Sequence, residues 1–130
     1  MKTIRNLLIG VIAVFLASCA TTAKFPVSDV LPAAEITAKK KQDKNENSEI
    51  TIKAKHLAGP ERLNPPKKFY VVWINTDNGL INIGQLLNTK SNSAELKTVT
   101  PYKFKDIIIT AEDTGNLTRP EGFTIARTAL

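Results

Sequence analysis

The side chains able to make or break bonds are few in this chain, and their spacing narrows the chemistry quickly. There is one cysteine, Cys19, one histidine, His56, and twelve acidic residues among 130. A structural or catalytic metal site needs three or four His, Cys or carboxylate ligands, and one His beside one Cys cannot supply them. Asp106, Glu112 and Asp113 lie close together, but no Asp-x-Asp-x-Asp loop offers the six to eight oxygens that calcium takes. Hydrolysis by a nucleophile needs a base beside it. No Gly-x-Ser-x-Gly occurs, and His56 stands after an alternating segment as a surface or packing residue. No glycine-rich phosphate loop occurs either. No catalytic, cofactor-binding or metal-binding residue is therefore assigned, and the chain reads as a non-enzyme.

The reactive group that does have a context is the thiol of Cys19. Lys2 and Arg5 form a short basic start, Leu7 to Leu16 is almost wholly apolar, and small residues follow, which is the order of an export signal. The apolar run is shorter than the roughly 20 residues a transmembrane helix needs. Leu16, Ala17, Ser18 and Cys19 resemble the lipobox of bacterial lipoproteins. The resemblance implies a diacylglycerol thioether on Cys19, cleavage just before it and acylation of the new amine. Two or three acyl chains anchor stably because each buried methylene adds about 0.8 kcal/mol. Residues 1–18 are then the signal peptide. The protein is expected in the bacterial cell envelope, held by lipid in the outer membrane and facing the periplasm, since Ala20 is not an acidic retention residue.

Removing residues 1–18 leaves 112 residues with sixteen basic and twelve acidic side chains. That is enough for one domain without disulfides. A basic balance can signal nucleic acid, but export and the lack of basic-aromatic interleaving argue against it. Anionic headgroups are the better electrostatic partner.

The elements that would carry a site are strands. Residues 19–33, with Pro26, Pro32 and no periodicity, read as a lipidated flexible tether. Residues 34–130 then hold seven β-rich segments: Glu35–Lys39, Ile50–Lys55, Phe69–Ile74, Leu80–Leu87, Ala94–Thr100, Asp106–Glu112 and Phe123–Thr128. Lys40 to Ser48 is a polar hairpin loop. Leu57 to Lys67, with Gly59-Pro60 and Pro65-Pro66, is expected to cross between sheets. Asp77-Asn78-Gly79 is a hairpin turn with positive φ at both central positions. Phe69–Ile74 is apolar on both faces, as is a central strand. The pattern predicts an all-β, immunoglobulin-like antiparallel β-sandwich of about seven strands after an N-terminal signal helix and tether, with Trp73 in the core; a small β-barrel is the alternative. Asp106 and Glu112 read as solvent-facing strand ends. Tyr70 and Trp73 must lie on opposite faces.

Tyr70-Val71-Val72-Trp73-Ile74, Gly79, Gly84-Gln85-Leu86, Ile109-Thr110-Ala111-Glu112 and Thr118-Arg119-Pro120-Glu121-Gly122 together resemble the C-terminal extracytoplasmic domain of anti-sigma-K factors. The resemblance covers roughly residues 69–125. It implies a sandwich with no catalytic residues to carry over, and this chain lacks the family's zinc-binding cytoplasmic domain and transmembrane helix. The expected function is a lipid-anchored binding module for another envelope protein, through sheet edges or the loops Lys39–Glu49 and Leu57–Lys68. The alternatives are a sensory module acting on an anti-sigma system, and a small-ligand carrier or envelope enzyme. Expected partners are the membrane, through the lipid, and an envelope protein.

Overall fold

The computed structural model describes residues 20–130; the residues read as an export signal and lipobox, Cys19 among them, lie outside the described residues. Nine strands form two antiparallel sheets: β1 (Ala20–Lys24), β2 (Glu35–Gln42), β3 (Ser48–Lys55), β4 (Phe69–Thr76), β5 (Gly79–Gln85), β6 (Leu87–Lys90), β7 (Ser93–Thr100), β8 (Asp106–Glu112) and β9 (Phe123–Ala129). One sheet has the order β1-β2-β3-β7-β6 and the other β5-β4-β8-β9. β2-β3-β7-β6 repeats the A-B-E-D order of immunoglobulin-like sandwiches, and β5-β4-β8-β9 adds a C′-type strand to C-F-G. The sheets do not close on each other, so the fold is a sandwich and not a barrel.

Period-two patterning explains the layers. Ile50, Ile52 and Ala54 of β3 alternate with exposed or half-buried polar residues, and they pack inward with Ile36 and Ala38 of β2. From the facing sheet come Tyr70, Val72 and Ile74 of β4 and Ile107, Ile109 and Ala111 of β8. The Leu57–Lys67 segment crosses from one sheet to the other as expected, with one 3₁₀ turn at Pro60–Arg62.

Several expectations change. The tether predicted over residues 19–33 is folded from Ala20 onward. β1 pairs with β2 from Ala20 opposite Lys41 to Lys24 opposite Thr37, Phe25 is buried in the core, and the Ser28 hydroxyl donates to the Ile125 carbonyl of β9. An edge strand needs only backbone partners and little apolar surface, so Ala-Thr-Thr-Ala-Lys gives no periodic signal. The Leu80–Leu87 segment is two strands. A register shift opposite Val72 and Trp73 turns Leu86 inward and leaves Leu87 exposed, and the chain steps from one sheet to the other at Leu86. At the β4–β5 hairpin the positive φ falls on Gly79 (105°) and not on Asn78. Thr76 pairs with Gly79, and the Thr76 hydroxyl accepts from Asn78 N, so the turn is closed by a side chain.

Phe25 separates a folded start from a tether. Phe25→Ala is expected to lower stability by about 3 kcal/mol, the cost of emptying a core aromatic site, read from urea unfolding; a change within about 0.5 kcal/mol would mean residues 20–33 are not part of the fold.

Candidate functional site

The two outer faces of the sandwich differ in kind. That of β5-β4-β8-β9 is roofed. Val71, Trp73 and Ile108 point away from the main core and form a second apolar cluster with Phe69, Leu80 and Leu117. This corrects the expectation that Trp73 belongs to the core between the sheets: Tyr70 takes that role, and Trp73 faces the other way. The roof is the loop 113–122. Asn82 of β5 holds it, its amide nitrogen donating to the carbonyls of Gly115 at 2.9 Å and Leu117 at 3.0 Å.

Beneath the roof runs a chain of polar groups. The indole Nε1 of Trp73 donates to Thr110 Oγ1 at 2.8 Å, and the Thr110 hydroxyl donates to Glu112 Oε2 at 2.6 Å. Glu112 Oε1 accepts from the backbone N–H of Gly122 at 2.6 Å and of Glu121 at 3.2 Å. Glu112 is 1% exposed, so it is no solvent-facing strand end. Its carboxylate clamps the end of the roof loop onto β8. Gly122 is required there because a Cβ would sit 1.8 Å from the Ala111 carbonyl oxygen. Trp73, Thr110, Glu112 and Gly122, spread over fifty positions of the chain, thus act as one unit. The sequence offered a hint only in a threonine and a carboxylate at i and i+2 on a strand otherwise apolar.

Asp106, at the start of β8, is also buried. It accepts from Asn75 Nδ2 at 3.0 Å and from Arg127 Nε at 2.7 Å, and Arg127 Nη2 makes a second contact with the same oxygen. It ties β4, β8 and β9 together. Tyr70 does the same for the crossing segment. Its hydroxyl donates to the Ala58 carbonyl at 2.6 Å, and its pKa is pushed up to about 12 by burial and, less, by the negative charge of Glu61.

The outer face of β1-β2-β3-β7-β6 is open and basic. The register sets Thr22, Lys39, Thr51 and Lys97 in one row across the strands, and Lys24, Thr37, Lys53 and Glu95 in the next. A shallow hollow lies among the Thr and Lys side chains of these rows. Seven exposed lysines (24, 39, 41, 53, 55, 90 and 97) share the face with Glu35, Glu49 and Glu95, leaving four positive charges in excess. Lys97 lies 3.5 Å from Glu95, so part of that charge is paired within the face.

The remaining residues singled out in the sequence are dispersed. His56 is exposed at the end of β3 with φ 55°. Tyr102 is half exposed, whereas Phe104 is buried beneath the Lys40 ammonium, 4.6 Å from the ring centre. The Lys39–Glu49 hairpin and the Leu57–Lys68 crossing leave opposite ends of β3, so the fold does not bring these two loops together. Among the described residues, no three His, Cys, Asp or Glu side chains are grouped to hold a metal ion.

Compared with protein-family models, curated proteins and solved structures, the chain matches none.

Two measurements check these anchors. Glu112→Ala removes both acceptor oxygens and leaves the loop amides unpaired, and it should cost about 2 kcal/mol with faster hydrogen exchange at Glu121 and Gly122. Unchanged exchange there would mean the carboxylate does not hold the roof. Tyr70 contributes stability that is complete below pH 10, its unfolded value, and is lost as pH rises towards about 12. Tyr70→Phe should therefore be less stable by about 1 kcal/mol at pH 8 and lose stability less steeply than wild type between pH 10 and 12 in thermal melts.

Proposed function

We propose that this chain is a lipid-anchored protein of the bacterial cell envelope, attached through Cys19, held in the outer membrane and facing the periplasm, where it acts as a non-enzymatic binding module for another envelope protein. The observation that carries the anchor is Leu16-Ala17-Ser18-Cys19 after a basic start and an apolar run, ending one residue before β1. What supports binding over catalysis is the use to which the buried polar groups are put. The lone pairs of Glu112 and Asp106 are engaged by loop amides and by neighbouring strands, so these carboxylates position backbone. What the domain offers to a protein partner is its sheet edges and the loops Lys39–Glu49 and Leu57–Lys68. Acyl anchoring confines the domain near the membrane and raises its effective concentration towards partners held there.

Intact-mass analysis of the protein purified from bacterial membranes is expected to show a chain that begins at Cys19 and carries diacylglyceryl and acyl groups. Cys19→Ala should accumulate as the unprocessed precursor without added lipid. A wild-type mass that starts at Met1, or at any later residue without lipid, overturns the anchor.

A further inference from the structure

We propose that the open face of the five-stranded sheet lies against the anionic headgroups of the membrane that holds the chain, a reading that rests on the anchor proposed above. Two independent observations point to this occupant. The first is charge. On this face alternate residues of neighbouring strands stand on a grid about 4.8 Å by 7 Å, and lysines at 24, 39, 41, 53, 55, 90 and 97 occupy it with three acids among them. Such a grid of long, flexible cations suits a plane of many anions better than a single small ligand. Attraction to acidic headgroups acts only within about a Debye length of the surface, so the face must be held close to be used.

The second observation is where the anchor would enter. Residue 20 is the first residue of β1, the edge strand of this same sheet, and no spacer separates it from Cys19. One residue of chain spans at most about 3.6 Å, so the edge of the sheet is brought to the headgroup layer. The row that begins at Ala20 continues across the face through Lys41 and Glu49 to Val99, an apolar side chain that is 56% exposed. The entry point, the lysines and this exposed valine therefore share one surface. The opposite outer face is covered by the loop 113–122, whose exposed charged residues are Asp113, Arg119 and Glu121, one negative charge in excess.

The test uses the full lipidated chain, purified from membranes and reconstituted into vesicles of phosphatidylcholine alone or mixed with phosphatidylglycerol. Flotation with the neutral vesicles reports the anchor; lysine acetylation by a water-soluble reagent reports the face. Lys39, Lys53 and Lys97 should label about fivefold more slowly on the mixed vesicles than on the neutral ones, with Lys68 on the crossing segment unchanged and the protection lost at high salt. The triple variant Lys39→Glu, Lys53→Glu, Lys97→Glu, all at exposed sites, should still float with both vesicles yet lose the protection of Lys24, Lys41 and Lys55. Equal labelling on the two vesicles overturns the proposal. So does protection by a soluble anionic polysaccharide without protection by phosphatidylglycerol, which would assign the face to another polyanion. If the chain does not float with neutral vesicles, the anchor reading has failed; flotation with mixed vesicles that the triple variant abolishes then still supports the face, and its absence overturns it.

Discussion

Burying β8 on both faces makes demands that reach across the whole domain. All seven of its residues are buried. Ile107, Ile109 and Ala111 fill the space between the sheets, and that half is met by ordinary apolar packing. The other side carries Ile108, Thr110 and Glu112, and a carboxylate withdrawn from water must be matched by donors. The protein supplies them from a distance. The loop 113–122 folds back so that two backbone N–H groups reach Glu112, Trp73 caps Thr110, and Leu117 packs against the cluster of Val71, Trp73 and Ile108. The roof is thus a solution to a desolvation problem created by one strand.

The same need shapes the ends of that strand. Asp106 gathers donors from β4 and β9, and Lys68 donates its backbone N–H to the Glu112 carbonyl. These contacts fix the registers of β4, β8 and β9 in polar as well as apolar terms. A one-residue slip would strand a charge as well as reverse the faces, so the pairing is strongly specified.

Much of this was legible in the sequence. Seven of the nine strands announce themselves by alternation or by doubly apolar runs, and Gly59-Pro60 and Pro65-Pro66 mark the crossing between sheets. What stayed hidden is what pairing alone decides. β1 is held by backbone bonds to β2 and shows no apolar stripe. The spacing of Tyr70 and Trp73 requires opposite faces, but nothing local says which face meets the other sheet. Asp106 and Glu112 looked exposed because buried acids are rare unless partnered, and apart from Thr110 their partners lie nine to thirty-one positions away. The basic face is scattered through the sequence from Lys24 to Lys97, and only the register of five strands collects it.

The short step at Leu86 has a mechanical consequence. β5 and β6 belong to different sheets yet are joined by a single residue, so the two layers cannot slide past each other while β6 stays paired. β6 is four residues long, exposed throughout, and its pairing with β7 is interrupted between Asn88 and Lys90. Short, solvated, poorly registered pairings are where native proteins first come open. The weakest seam of the sandwich is therefore also the latch that keeps its layers in place, and fraying would begin there, at the sheet edge farthest from β1.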